Sequence, residues 1–104
     1  MKPVTISDPA REEFRDAARW YRDRDERVAA RFTAETGRIL ELIGRFPNIG
    51  SRVPGIDDLA VRRMPVHNFP YHVVFIDLGD RIEIAAFAHK RRRPEYLVER
   101  LRRF

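Results

Sequence analysis

The fold of this chain is decided by one stretch in its second half, YHVVFIDLGDRIEIAAFA at residues 71–88. Two runs within it, Tyr71 to Leu78 and Arg81 to Ala88, are rich in the β-branched and aromatic residues that favour strands. The dipeptide Gly79-Asp80 between them is typical of a tight two-residue hairpin turn. The stretch therefore predicts two antiparallel strands.

Alternation along the second run predicts which of its side chains share a face. Successive side chains of a strand point to opposite faces of the sheet. The predicted apolar set is Ile82, Ile84, Ala86 and Ala88, and the opposite set includes Arg81 and Glu83. Such an apolar face must be covered by another layer of the protein.

Two further strands complete the predicted sheet. Leu59 to Met64 has strand character and precedes the link His67-Asn68-Phe69-Pro70. Val4 and Ile6, spaced two apart, predict a short strand within residues 2–6. Residues 47–57 are rich in Pro, Gly, Asn, Ser and Asp, and they are predicted to be a loop.

Two helices are predicted between the first strand and that loop. Asp8 is expected to cap a helix from about Pro9 to Arg22, because proline suits the first helical position. A second helix follows a polar break and ends before Pro47, and the short break makes the two helices an antiparallel hairpin. Their apolar stripes are Phe14, Ala17, Ala18 and Tyr21 in the first, and Val28, Phe32, Ile39, Leu42, Ile43 and Phe46 in the second.

These elements predict an α+β fold for residues 1–104 as a single domain. Its parts are an N-terminal strand, a helical hairpin packed on a small, mainly antiparallel sheet, and a short C-terminal helix. That last helix is predicted from the spacing of Leu97, Leu101 and Phe104, and its end is expected to fray. The other face of the sheet is expected to stay partly exposed, with arginines at its rim.

Composition narrows the class and location of the protein. With no cysteine, disulfides and thiolate metal sites are excluded, and the cytoplasm is the expected compartment. No run of residues predicts a signal peptide or a membrane span. Of the net charge of +5, little lies in residues 1–46, where 10 Lys and Arg face 9 Asp and Glu. Most lies in residues 47–104, where 11 face 7.

Few residue combinations could carry catalysis. The histidines, His67, His72 and His89, have no partner at a spacing that predicts a metal site. No glycine-rich loop predicts nucleotide binding. Ser7 and Ser51 lie in predicted turns with no histidine near them in sequence, so a serine nucleophile is not favoured. No metal or cofactor is expected.

The segment AHKRRRPEY, from Ala88 to Tyr96, carries the most chemistry. His89 leaves the last strand beside four cations and could act as a general base, while the arginines could hold a phosphate during transfer. The simpler interpretation is a solvated basic run in which Tyr96 anchors the terminal helix. Both interpretations remain open on the sequence alone.

Two adjacent pairs also stand out. Arg62 and Arg63 are neighbours on a strand and so point to opposite faces, which allows only one of them into a shared patch. Trp20 and Tyr21 lie at the edge of the first helix and are interpreted first as core packing. The same residue types also serve at interfaces, so a binding role is the alternative.

Four segments of the chain, in this order, resemble the RelE/ParE superfamily of toxins from type II toxin–antitoxin systems, and the ParE branch most closely. They are Ala17-Ala18-Arg19-Trp20-Tyr21, Ala30-Arg31-Phe32-Thr33-Ala34-Glu35, Phe69-Pro70-Tyr71, and Ala88-His89 leading through Arg92 to Pro94 and Tyr96. The resemblance covers nearly the whole chain. It implies the same strand, helical hairpin and antiparallel sheet that the residue pattern predicts.

The resemblance also implies a growth-inhibiting toxin that a cognate antitoxin wraps and neutralises. Operator DNA would be bound jointly, and only through the antitoxin. ParE-like members poison DNA gyrase, which is the first hypothesis for this chain. The expected antitoxin contacts are Trp20, Tyr21 and Phe69, and the expected target contacts are Arg91, Arg92, Arg93 and Tyr96.

RelE-like and YoeB-like members instead cut mRNA in the ribosomal A site, which is the alternative activity. Its expected catalytic residues are His89, Arg63, Arg81, Arg91 and Tyr96, with His89 as the general base. The arrangement His-x-x-Arg-x-Pro is more typical of ParE-like chains, which favours a non-enzymatic inhibitor. A third hypothesis, a small structural or nucleic-acid-binding module, is disfavoured because no aromatic residues interleave with the basic run.

Overall fold

A computed structural model describes residues 1–104 of the chain. A five-stranded sheet lies between a helical hairpin on one face and a short C-terminal helix on the other. The elements in chain order are β1 (Val4–Ile6), α1 (Asp8–Arg22), α2 (Glu26–Arg45), β2 (Ser51–Arg52), β3 (Val61–Pro65), β4 (Tyr71–Asp77), β5 (Ile82–His89) and α3 (Pro94–Leu101). The predicted fold class is confirmed. None of the three helices combines the length and apolar character that crossing a lipid bilayer requires.

The helices of the hairpin begin where side chains cap their free amide groups. Ser7 Oγ accepts a hydrogen bond from the Ala10 amide at 3.3 Å, so the cap of α1 is Ser7 and the prediction of Asp8 was wrong by one residue. Asp25 caps α2 by accepting from the Arg27 amide at 2.9 Å. Both caps satisfy donors that no helical carbonyl can reach.

The sheet has the strand order β1-β5-β4-β3-β2, and only the pairing of β1 with β5 is parallel. Val4 pairs with Ile82, and Ile6 pairs with Ile84. Because β1 is so short, it covers only the first part of the edge of β5. The remainder of that edge, from Ala85 onward, has no strand beside it.

Strand β2 lies inside the segment that was predicted to be all loop, so that prediction was wrong for Ser51–Arg52. The two residues pair with Arg63 and Arg62 of β3. Gly50 precedes them with φ +83°, and a Cβ there would overlap the carbonyl oxygen of Arg63. Glycine therefore permits the close approach of the two chains at the start of the pairing. The two-residue strand was not predicted because the residues around it are typical of turns.

A β-bulge in β5 changes which side chains face the helices. Ile84 pairs with Phe75, but Ala86 pairs with Val74, so Ala85 is the extra residue. Ile82, Ile84 and Phe87 pack in the core under the helical hairpin, whereas Ala86 packs on the other face. The predicted set of Ile82, Ile84, Ala86 and Ala88 on one face was therefore wrong beyond the bulge.

Each face of the sheet has its own core. The main core, between the sheet and the helical hairpin, centres on the fully buried side chains Phe32, Ile39, Ile43 and Phe75. The opposite core is smaller and contains Val53, Val61, Val74, Ile76, Ala85 and Ala86. Leu97 and Leu101 of α3 cover it, so the face expected to be partly exposed is closed along α3.

Strand and helix ends differ slightly from those predicted. Strand β3 begins at Val61 and not at Leu59, whose side chain is 74% exposed. Strand β5 extends to His89, one residue beyond the predicted end. Helix α3 ends at Leu101, which leaves Phe104 beyond it. The extension of β5 matters most, because it places His89 on the rigid sheet.

Candidate functional site

A cleft of about 460 Å³ opens where β5 ends, between the sheet and the face of α1. Its walls come from three parts of the chain that are far apart in sequence. They are Glu13, Asp16, Ala17, Trp20 and Tyr21 of α1, Pro70 and Tyr71 at the start of β4, and Phe87, His89 and Arg92 at the end of β5 and beyond it. Three of the four segments that carry the family resemblance thus meet at one place.

His89 enters this cleft because of the bulge. In a regular strand His89 would lie on the face opposite to Ile82 and Ile84, but the extra residue Ala85 moves it to their side. Its ring packs edge-on against Tyr71, with 5.2 Å between the ring centroids. The imidazole is half-buried as a result.

The ring nitrogens of His89 have different roles. Nδ1 accepts a hydrogen bond from the Arg91 amide at 3.1 Å, which closes the turn that follows β5. A neutral imidazole with Nδ1 as acceptor carries its proton on Nε2. His89 therefore presents an N–H donor, and the lone pair that a general base needs is already occupied in this arrangement.

Tyr96 fixes the basic segment Lys90–Arg93 to the fold. The Arg92 guanidinium lies over its ring at 4.6 Å from the centroid, and that of Arg100 lies at 5.1 Å. Arg100 also donates to the Tyr96 hydroxyl at 2.8 Å. The expectation that Tyr96 anchors α3 agrees with these contacts. None of the ion pairs of the chain involves a residue of the basic segment.

An ion pair that was not predicted joins α1 to α3 beside the cleft. Arg100 donates to both carboxylate oxygens of Glu13, at 2.9 and 3.1 Å, and the two side chains are only 11% and 18% exposed. Glu13 also accepts from the Phe87 amide at 3.0 Å, and Arg100 donates to the Ala85 carbonyl at 3.0 Å. These two side chains therefore supply hydrogen-bond partners for the Phe87 amide and the Ala85 carbonyl, on the edge of β5 that β1 leaves uncovered.

The expected antitoxin contacts divide between surface and core. Trp20 is 52% exposed on the wall of the cleft, with the Arg24 guanidinium 3.5 Å from its ring centroid. Tyr21 and Phe69 are half-buried and pack on each other and on Phe32, with centroids 4.9 to 5.2 Å apart. Burial raises the pKa of the Tyr21 hydroxyl. Core packing thus describes Tyr21 and Phe69 but not Trp20.

The residues expected for a nuclease are only partly brought together. His89, Arg91 and Tyr96 lie at the same end of the molecule. Arg81 lies at the β4–β5 turn, where it pairs with Asp80, and seven strand residues at about 3.3 Å each separate it from His89. Arg63 is opposite Val74 and so lies on the α3 face of the sheet, away from the cleft.

The expected opposition of Arg62 and Arg63 is confirmed by the register of β3. Arg62 is opposite Phe75, a residue of the main core, and Arg63 is opposite Val74 of the smaller core. The Arg62 guanidinium donates to the carbonyls of Ile49 and Gly50, at 3.0 and 2.7 Å. Arg62 therefore holds the loop after α2 and does not contribute to a site.

His72 is a titratable residue for which the sequence suggested no role. It lies on the α3 face, and its Nδ1 is buried without a hydrogen-bond partner in the chain. Burial lowers the pKa of its imidazole, and the charges of Arg63 and Lys90 lower it further. A histidine that precedes two valines on a strand gives no such signal in sequence. No group of three or more His, Cys, Asp or Glu side chains is placed to hold a metal ion.

Comparison with known proteins agrees with this architecture. The family model described as ParE toxin of type II toxin-antitoxin system, parDE, matches residues 4–94. A solved structure described as the chromosomal ParDE TA system from P. aeruginosa superposes with a TM-score of 0.71 at 16% identity, over 86% of this chain and 96% of that one. No curated protein sequence matches the chain. Since the family model spans most of its length, the chain belongs to the ParE toxin family of type II toxin–antitoxin systems.

Proposed function

We propose that this chain inhibits DNA gyrase in the cytoplasm and that its basic segment, with Tyr96, contacts the target. The observation that carries the proposal is the display of Lys90–Arg93 as four cations without ion pairs on a fixed frame. The frame consists of the His89–Arg91 turn and the stacking of Arg92 on Tyr96. Unpaired arginines held in this way are available to carboxylates or phosphates of a large partner.

The same geometry supports inhibition better than mRNA cleavage. Arg63 and Arg81 are remote from His89, and Nδ1 of His89 already accepts the Arg91 amide. Binding needs only a complementary surface, whereas phosphoryl transfer needs a base and its phosphate-binding cations at one point. The cleavage of ribosome-bound mRNA remains the competing activity that the test must include.

The test is a gyrase supercoiling assay run beside ribosome-programmed mRNA cleavage on the same preparation. The wild type is expected to inhibit supercoiling and to leave the mRNA intact. The variant Arg91→Gln/Arg92→Gln/Arg93→Gln is expected to inhibit at least about tenfold less, since it loses three charge-assisted contacts. Site-specific mRNA cleavage with unaffected gyrase would reject the proposal.

A matched control separates the position of the charges from their number. The variant Arg11→Gln/Arg15→Gln/Arg22→Gln removes the same charge from α1, where these arginines are exposed and have no ion pairs. We expect it to inhibit like the wild type. If both triple variants lost inhibition equally, the effect would be one of net charge and not of the basic segment.

We further propose that a cognate antitoxin covers the cleft and neutralises the toxin through Trp20, Tyr21 and Phe69. Trp20 supports this most, because a half-exposed indole beside a cleft is a typical interface anchor. It is also the only tryptophan of the chain, so its fluorescence reports directly on the cleft. Binding of antitoxin is expected to shift this emission to the blue. Operator DNA would be bound through the antitoxin alone.

The variants Trp20→Ala and Tyr21→Phe separate surface from core in that complex. Trp20→Ala should weaken antitoxin binding by roughly tenfold or more with little loss of stability. Tyr21→Phe keeps the ring that packs in the core and should bind nearly as well as the wild type. An unchanged affinity of Trp20→Ala would place the antitoxin elsewhere on the toxin.

A further inference from the structure

A second hollow lies at the end of the sheet opposite to the cleft. It has a volume of about 300 Å³ and opens between α3 and the loop that precedes β3. Val61 and Ile76, which are 3% and 6% exposed, form its floor. Its remaining walls are Ile56, Asp58, Leu78, Val98, Leu101, Arg102 and Phe104.

Exposed apolar side chains are concentrated around this hollow. Leu78 and Phe104 line it and are 41% and 47% exposed. Leu59, the next residue along the chain from Asp58, is 74% exposed. These three are half of the large apolar side chains that the chain exposes. Such a concentration marks an interaction surface more strongly than scattered exposed residues do.

The charges on the two walls are opposite in sign. On the loop wall the only charged residue that lines the hollow is Asp58, and it forms no ion pair. The helix wall carries Arg102 and Arg103, and the only ion pair there is an exposed contact of Arg102 with Glu99 at 3.5 Å. An acidic partner would be repelled by the loop wall, and a basic partner by the helix wall. A second copy of this chain, related by a two-fold axis, would place its basic helix wall against the acidic loop wall of the first copy, and its loop wall against the helix wall of the first.

We propose that this hollow is the contact surface of a homodimer in which the helix wall of each protomer faces the loop wall of the other. Leu59, Leu78 and Phe104 form the apolar centre, and Asp58 and Arg102 form reciprocal pairs at the rim. With only three exposed apolar side chains at its centre, the association is expected to be weak and dependent on concentration. The cleft lies at the other end of the sheet, so the dimer leaves both copies of it accessible. This inference does not depend on which target the toxin inhibits.

The test is sedimentation equilibrium of the purified chain across a hundredfold range of concentration. The wild type is expected to pass from monomer to dimer within the micromolar range. Asp58→Arg and Arg102→Asp are each expected to weaken the dimer by about tenfold or more, because each places like charges together. Mixing the two variants should restore association, since both rim pairs of the heterodimer are then of opposite sign. Asp23→Arg, at an exposed position after α1 that forms no ion pair, is the matched charge reversal and should dimerise normally.

Asp58 also accepts from the Ala60 amide at 2.9 Å, so its variant must be shown to be folded. Leu78→Asp provides a second probe in an exposed turn, and it should abolish the dimer without a change in secondary structure. A wild type that stays monomeric throughout, or a mixture that fails to associate, would overturn the proposal. So would protection of the hollow only after antitoxin is added, because the surface would then belong to a different protein.

Discussion

Two histidines of this chain differ in what their ring nitrogens contact, and both differences have measurable consequences. His89 uses Nδ1 to hold the turn that starts the basic segment. His72 has a buried Nδ1 without a partner and lies near two cations. The sequence pointed to His89 because of its neighbours along the chain. The sequence did not indicate the unusual environment of His72, because the nearby cations are Arg63 of β3 and Lys90, which follows β5.

The role of His89 can be separated from its chemistry by two substitutions. His89→Ala removes the acceptor for the Arg91 amide and should lower the inhibition of supercoiling several-fold, because the basic segment loses its fixed path. His89→Asn should retain most of the activity, since an asparagine oxygen can accept from the amide two residues later. Dose–response curves in the supercoiling assay make the comparison. Equal loss in both variants would instead assign the role to the imidazole ring.

The lowered pKa of His72 predicts a loss of stability on acidification. The unfolded chain takes up a proton at this residue as the pH falls through about 6.5, whereas the folded chain does so only at lower pH. The unfolded state therefore binds more protons in this window, and the free energy of unfolding decreases as the pH falls. Thermal melts between pH 7.5 and 5 should show a smaller decrease in Tm for His72→Gln than for the wild type. Parallel curves for the two proteins would contradict this assignment.

At the scale of elements, the sequence predicted the helices and the longer strands, but not the short strand β2, the β-bulge or the cleft. The helices followed from proline and residue spacing, which are signals contained within a few residues, although the cap of α1 is Ser7 and not the predicted Asp8. The β-bulge was not predicted. A signal for it exists in the sequence, since the spacing of the large residues Ile82, Ile84 and Phe87 changes from two to three. The cleft itself was not predictable, since nothing in the sequence indicates that Trp20 and His89 line the same cavity.

The Glu13–Arg100 pair predicts how α3 is held. Removal of one partner leaves the other charge largely desolvated, so Glu13→Gln or Arg100→Met should each cost about 2–3 kcal/mol of unfolding free energy. The double variant should cost less than the sum of the two. Urea denaturation gives these values. Glu12→Gln, a change at an exposed neighbour, is the control and should be nearly neutral, and a similar cost there would remove the special role of the pair.

At the scale of the whole molecule, the two cores contribute unequally to stability. Phe32 is fully buried in the main core and packs on the rings of Phe14, Tyr21, Phe69, Tyr71 and Phe87. Leu97 is only half-buried over the smaller core. The fold therefore depends mainly on the layer between the helical hairpin and the sheet.

This inequality gives a direct comparison of two truncations. Phe32→Ala should cost about 3–5 kcal/mol, a large part of the stability of a domain of this size, because it opens a cavity among aromatic rings. Leu97→Ala should cost about 1–2 kcal/mol, since water already reaches part of the side chain. Urea denaturation with an unchanged m-value would show that both variants unfold in one transition. Equal costs would mean that α3 is as important to the fold as the hairpin.

The parallel pairing of β1 with β5 also sets the order in which the sheet can form. Thr5 and Glu83 are hydrogen-bonded neighbours although 78 positions separate them in sequence. Contacts between residues so far apart in sequence form late, because closing the long loop costs conformational entropy before the pairing contributes any stabilisation. Because β1 precedes β5 along the chain, β1 has no partner for this pairing until β5 has been synthesised. The helical hairpin can form before β5 has been made, whereas the sheet with the bulge that positions His89 cannot.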